Sequence, residues 1–337
     1  MGTQELQKEY SHMNDMQQQA VFQTEGPVLI LAGAGSGKTT VLVNRISYIL
    51  RMGLCRPWQI LAITFTNKAA AELKERICSA VPEDGNEIWA ATFHSTCSRI
   101  LRRYGDRIGY SNHFTVYDSD DQKRLVKEIL KQLNIDEKFL PVKSVLSEIS
   151  HAKDKMETPE MMKEKAGYDH RLVSIAKVYE QYAQRLKSSD AMDFDDLLLN
   201  TVLLFQKSPD ILEYYQNLFR YIMVDEYQDT NKVQYEFVRM LAEKSGNICV
   251  VGDDDQSIYK FRGATIENIL SFENNFPGAK VIRLEQNYRS TQNILDAANG
   301  VIKNNSARKG KTLWTQNPKG DKVTFHTARD ERDEAMF

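Results

Sequence analysis

The chain holds only four cysteines in 337 residues, at positions 55, 78, 97 and 249. No two form a CxxC pair, and no Cys/His cluster surrounds any of them. That scatter argues against a disulfide framework and against a structural zinc site, and it fits idle or buried thiols in a reducing compartment. No apolar run approaches the ~20 residues that a membrane helix needs, and mean hydropathy is −0.49. Met1 to Tyr10 is polar and mixed in charge, unlike a secretory or transit leader, so the cytoplasm is the expected compartment. Neither sign of charge dominates: the formal net charge is −2 and the pI about 6.3. The chain as a whole therefore lacks the basic field common in nucleic-acid binders, although a local basic groove stays open. Solenoid-period repeats and low-complexity tracts are missing too.

What is present suits a globular chain of two or three domains: 42% hydrophobic and 27% charged residues, enough to bury a core. Six short apolar runs stand between turn or polar residues. They are Val28 to Leu31, Ile60 to Ile63, Ile88 to Ala91, Tyr221 to Val224, Ile248 to Val251 and Val281 to Leu284. Their length and branched content predict strands buried on both faces, the pattern of a parallel sheet. Helical stretches such as Lys38 to Leu50 and Lys68 to Ile77 separate several of them, which gives an α/β doubly wound rhythm. Between His94 and Arg220 the rhythm changes. Leu125, Val126, Ile129, Leu130 and Leu133, then Leu172, Ile175, Ala176, Tyr179, Tyr182 and Leu186, fall at helical spacing, which predicts a helical insertion. Asn304 to Gly320 reads as a loop, Lys322 to His326 as one more strand, and Asp330 to Phe337 as the start of a helix.

Ala32-Gly33-Ala34-Gly35-Ser36-Gly37-Lys38-Thr39 follows a predicted strand and opens a predicted helix, the context that a P-loop requires. Small residues let successive backbone amides wrap phosphates, and the helix N-terminus adds a favourable dipole. Lys38 is placed to reach the β- and γ-phosphates of ATP, and the Thr39 hydroxyl to ligate Mg2+. Tyr221-Ile222-Met223-Val224-Asp225-Glu226 puts two acids at the carboxyl end of another core strand, where α/β ligands bind. Asp225 would hold Mg2+ through water, and Glu226 would orient or deprotonate the attacking water. A nucleotide hydrolase needs that second acid; a nucleotide kinase does not.

Asp225-Glu226-Tyr227-Gln228-Asp229-Thr230 resembles the second motif of superfamily 1 helicases of the UvrD/Rep/PcrA type. Other motifs of that family follow in order. Asn14-Asp15-Met16-Gln17 with Ala20-Val21 is similar to its Q motif, Thr64 to Ala70 to motif Ia, and Thr92 to Ser95 to motif Ib. Asp193 to Leu197 resembles the motif that leads back into the first core domain. Val251 to Tyr259 with Arg262-Gly263-Ala264 resembles motif III, and Glu285 to Ser290 motif IV. The resemblance spans the chain.

It implies a RecA-like P-loop NTPase core with a parallel sheet. A first ATP-binding domain would comprise residues 1–109 and 192–280, with a helical insertion subdomain at 110–191. The start of a second RecA-like domain would follow at 281–337, with later motifs beyond Phe337. It further implies a 3′–5′ single-stranded DNA translocase that couples ATP hydrolysis to duplex unwinding in repair or replication. Partners would be single strands, duplex junctions and repair or replication proteins. In that frame Gln17 reads the adenine, Tyr288 stacks on it, Arg289 approaches the γ-phosphate, and Gln256 senses that phosphate. Phe65, His94, Tyr259 and Phe261 are the candidate base platforms, a contact that tolerates any sequence because every base has a π-face. Arg262 would contact phosphate or brace Gln256, and Asn67 would contact DNA or act as the N-cap of the next helix. Two departures stand out: Phe261 replaces the usual Trp, and Thr40 replaces an Arg that packs on the adenine in many relatives. A helicase subunit of the RecB/AddA helicase–nuclease kind and a single-strand-binding platform without motor activity are the alternatives. The isolated chain is expected to bind ATP weakly and hydrolyse it poorly.

Overall fold

The computed structural model describes residues 3–257, 263–305 and 308–337. Tyr259, Phe261 and Arg262 lie outside these residues. All six predicted apolar runs are strands of one parallel sheet: β1 (Val28–Ala32), β2 (Ile60–Thr64), β3 (Trp89–Thr92), β6 (Tyr221–Val224), β7 (Ile248–Gly252) and β8 (Lys280–Leu284). A separate two-stranded parallel pair, β4 (Thr115–Val116) with β5 (Ala191–Met192), closes the neck of the insertion. The spatial order of the large sheet is β3-β2-β6-β7-β1-β8.

The four inner strands are buried along their whole length, whereas the edge strands β3 and β8 are only partly covered. Side chains alternate across the sheet as the pleat dictates. In β1, Leu29 and Leu31 enter one core with Phe93, Phe205 and Phe237, while Val28 and Ile30 enter the other with Ile46, Ile49 and Ile77. The insertion carries its own core, in which Val126, Ile129 and Leu130 of one helix meet Ile175, Tyr179 and Tyr182 of another. An α/β fold with both sheet faces covered and a helical insertion is what the sequence pattern predicts.

β8 joins the sheet at its edge, pairing with β1 from Val28↔Lys280 to Ala32↔Leu284. Two details differ. Residues 322–326 form no strand: they are exposed and have no partner strand, and alternation alone does not make a sheet. The helix Asn67–Ala80 is capped by Thr66, whose side chain accepts from the Ala69 amide, so Asn67 is its first residue and not its N-cap. Among the described residues, no helix is long and apolar enough to cross a membrane.

A parallel sheet sends the carboxyl ends of all its strands to one edge, and α/β ligands bind there. The P-loop and the motifs at Thr64, Thr92, Asp225, Gly252 and Glu285 follow β1, β2, β3, β6, β7 and β8, so topology alone gathers them, whereas Asn14 to Val21 precedes β1 and Asp193 to Leu197 follows β5.

Candidate active site

Lys38 begins the helix Lys38–Arg51, and Gly37 before it is left-handed at φ +86. Between Ala32, the last residue of β1, and Lys38 the chain makes a tight turn. The amides of Gly35, Gly37, Lys38 and Thr39 donate to no carbonyl among the described residues. They are free for an anion, and the helix dipole favours one there. The neighbours of the turn leave little room for larger side chains: a Cβ on Gly33 would push against the Leu313 side chain, and one on Gly35, itself left-handed at φ +69, would lie 2.8 Å from the Asn287 amide nitrogen.

Across the edge, β6 ends in Asp225 and Glu226. Lys38 Nζ reaches Glu226 at 3.0 and 3.2 Å. Glu226 sits at φ +50, ψ 43, a left-handed conformation that costs a non-glycine residue about 1–3 kcal/mol and that clusters at functional sites. Its carboxylate also accepts from Gln228 Nε2 at 2.8 Å. Thr39, Asp225, Glu226 and Gln256 line one cleft of about 1000 Å³, closed on its far side by Ser147, Ser150, His151 and Asp154 of the insertion helix Val142–Asp154. Burial, then the neighbouring Glu226 charge, push the Asp225 carboxyl up to about 6, although Lys38 pulls the other way. Asp229 rises to about 6 for the same two reasons.

These residues fit a magnesium nucleotide. Free amides and an ammonium stand at the turn, while a hydroxyl (Thr39) and an under-compensated carboxylate (Asp225) share the adjoining cleft. A second acidic group, Asp253 to Asp255, has metal-like spacing, but the Lys311 ammonium sits among its oxygens at 2.5–2.7 Å. No cation is needed where an ammonium already stands.

The segment after β8 returns to the turn. Asn287 Nδ2 donates to the Ala34 carbonyl at 2.6 Å, and the Tyr288 amide to the Gly35 carbonyl at 2.9 Å. Gln17 is buried in the helix Asp15–Phe22, where it forms a capping box with Asn14. Its Nε2 donates to the Ser36 carbonyl at 3.0 Å, and its Oε1 accepts from the Asn14 amide at 3.2 Å. One hydrogen and one lone pair of its side-chain amide remain for a ligand. Asn14 Nδ2 in turn donates to the half-exposed Tyr288 hydroxyl at 2.8 Å. Gln17, Tyr288 and the P-loop thus form one connected patch. Thr40 is exposed on its outer side, and Ala34 and Arg289 are exposed as well. Ser36 is buried, its hydroxyl donating to the Gly33 carbonyl.

Phe65 and His94 line the cleft from the ends of β2 and β3, each half-buried, and Asn67 is exposed beside them. Phe65 meets Phe93 edge-on at 5.5 Å, and His94 meets the exposed Phe194 at 5.9 Å. Burial holds the His94 imidazole below its ordinary value, so it is neutral at pH 7. Asn287, Gln228 and Asn14 all fall within motifs read from the sequence, which gave none of them a role of its own; Asn14 alone also carries the Asn-x-x-Gln spacing of a capping box.

Residues 13–277 match the family of the UvrD/REP helicase N-terminal domain, and residues 282–337 that of the UvrD-like helicase C-terminal domain. The chain is 54% identical over 328 residues to the ATP-dependent DNA helicase PcrA of Staphylococcus aureus (strain NCTC 8325 / PS 47). It is 55% identical over 326 residues to the protein of the same name from Staphylococcus epidermidis (strain ATCC 12228 / FDA PCI 1200). Each alignment covers 97% of this chain and 45% of the relative, so the chain spans about half the length of the curated relatives it matches.

Proposed function

The chain belongs to the UvrD/REP helicase family, and on that premise we propose that it forms the ATP-hydrolysing core of a DNA helicase moving 3′–5′ on single strands. The observation that carries this reading is the meeting of the P-loop with the end of β6. Lys38 pairs with Glu226 at 3.0 Å, while Thr39 and Asp225 share the adjoining cleft.

The same pair suggests an order of events. Before nucleotide binds, Lys38 neutralises Glu226. Triphosphate draws the ammonium onto its β- and γ-oxygens, and the freed Glu226 carboxylate can then take a proton from water. Thr39 and Asp225 would hold Mg2+, which supplies charge neutralisation at the phosphate oxygens. Gln17 and Tyr288 flank the base end, and Gln256 and Arg289 approach the phosphates. Phe65 and His94, with Tyr259 and Phe261 outside the described residues, would stack bases, while Asn67 and Arg262 would hold the strand's polar backbone. Duplex junctions and repair or replication proteins are the partners that this activity would meet.

DNA-stimulated ATPase in the intact protein tests the reading. Lys38→Ala and Glu226→Ala should each abolish it, and wild-type turnover in both would refute the assignment. Loss of turnover with strand binding retained would separate a motor from a passive binding platform.

A further inference from the structure

Residues 308–313 lie like a strap across the sheet edge and touch two loops at once. At one end Leu313 covers Gly33 of the P-loop so closely that a Cβ there would collide with it. At the other, buried Lys311 lies 2.6 Å from Asp253, 2.5 Å from Asp254 and 2.7 Å from Asp255 in the turn after β7. Arg308 adds a second cation on Asp255 at 2.7 Å, and the Lys309 amide donates to Asp254 at 2.7 Å. Burial opposes the Lys311 charge, but Asp253 and the hydrogen bonds to all three carboxylates raise it above its ordinary value.

Asp253 is the hub. Its amide donates to Gln228 Oε1 at 3.0 Å, and its carboxylate accepts from Gln256 Nε2 at 2.5 Å and from Lys311. Gln228 passes the contact to Glu226, which holds Lys38. A continuous polar path therefore runs from Lys311 through Asp253, Gln228 and Glu226 to the P-loop lysine, with Gln256 as its branch.

We propose that Lys311 is a positioning residue for ATP hydrolysis: its ammonium pins the Asp253–Asp255 turn and so sets where Gln256 and Glu226 stand against the phosphate loop. The proposal rests on the hydrolase reading above. Three carboxylates whose oxygens lie within 4.8 Å of one another repel unless a cation holds them. The strap belongs to the segment matched by the C-terminal family domain, so a shift of that segment would reach the catalytic carboxylate without passing through the nucleotide.

The test compares Lys311→Met, Lys311→Arg and Asp254→Asn in the intact protein by two readouts, amide hydrogen exchange over residues 253–257 and steady-state ATPase. Lys311→Met should speed exchange in the turn about tenfold. It should also lower kcat about 10–100-fold, the range found when a supporting partner of a catalytic group is removed, with KM for ATP little changed. Lys311→Arg should restore part of kcat, and Asp254→Asn, which leaves Lys311 two partners, should lose little. Unchanged exchange in Lys311→Met overturns the pinning, and faster exchange with wild-type kcat overturns the positioning role. If Lys311→Met does not fold, the charge-balanced pair Lys311→Met with Asp254→Asn replaces it. Full recovery of kcat in that pair would reduce Lys311 to packing and overturn the proposal. A wild-type protein without ATPase would sink the hydrolase reading instead, and the exchange arm would still decide the pinning.

Discussion

Asp225 is predicted to weaken the fold that displays it. Its carboxyl is held at about 6 against an ordinary 3.8, by burial first and by Glu226 second. A group whose folded value lies above its unfolded one favours the protonated form in the native state. Its contribution is therefore fully present below pH 4 and is lost as pH rises through 6, where the native protein must carry an unwanted charge. The difference corresponds to about 3 kcal/mol at pH 8, as an upper bound because water in the cleft screens part of it.

Asp225→Asn removes the charge and keeps the acceptor for the Glu226 amide, which donates to Asp225 Oδ1 at 2.9 Å. With metal chelated, the variant should be more stable than wild type at pH 8 by about 1–3 kcal/mol. At about 2–4 °C per kcal/mol for a chain somewhat smaller than this one, the gain in Tm is a few degrees. It should shrink between pH 6 and pH 4. Thermal and urea unfolding in EDTA at pH 8, 6 and 4.5 would measure it. A variant less stable than wild type at pH 8, or a gain independent of pH, would refute the electrostatic account. The same variant should lose magnesium-dependent nucleotide binding, making it a site where stability opposes activity.

Four other outcomes are expected. Lys153 is buried with Asp193 and Asp196 each at 2.7 Å, so Lys153→Met should cost about 3–5 kcal/mol in urea unfolding by stranding those carboxylates; a loss below about 1 kcal/mol would mean that they find other partners. Thr66→Ala should cost about 1 kcal/mol through its lost cap, with Asn67→Ala closer to neutral, as Tm will show. Phe65→Ala should weaken single-strand binding by about 1–3 kcal/mol equally on homopolymeric and mixed oligonucleotides in fluorescence anisotropy, and a loss confined to one sequence would contradict a stacking role. The Asp154 carboxyl is raised to about 7, by burial first and Asp195 second. Asp154→Asn should therefore tighten strand binding at pH 8 but hardly at pH 6, and equal effects at both would remove charge as the cause.

The sheet was legible because parallel strands buried on both faces read as continuous apolar runs, and each of the six runs is a strand. The P-loop and the Asp225-Glu226 pair were legible for a related reason: strand ends bearing them must share one edge. The two-residue strands β4 and β5 were not, since two residues carry no period and their pairing is fixed only once the insertion folds. Residues 322–326 misled because their alternation lacks a partner strand. Lys311 lies in Lys309-Gly310-Lys311, which reads as a solvated basic turn, and its carboxylate partners stand 56 to 58 positions earlier. Glu226 belongs to a residue type with no preference for left-handed backbone, so its strain left no trace in the sequence.

The charge of the cleft constrains how the proposed ligands can lie in it. Seven carboxylates line it (Glu72, Asp154, Asp195, Asp225, Glu226, Asp229 and Asp255), with no lysine or arginine among its described lining residues. Cations touch these carboxylates from outside the lining, Lys38 on Glu226 and Arg308 and Lys311 on Asp255. At the P-loop end the charge on Asp225 and Asp229, which Lys38 only partly offsets, is what a divalent cation arriving with a nucleotide would neutralise, and that end has free amides to take the phosphates. At the insertion end Lys155 beside Asp154, and Lys153 and His151 beside Asp195, offset only part of the cost of burying those acids, so a strand laid phosphates-inward would still put like charges together. A strand laid bases-inward presents neutral π-faces to Phe65 and to an uncharged His94, and leaves its phosphates in water where salt screens them. The acidity that seemed to count against a DNA-binding chain would then orient the strand.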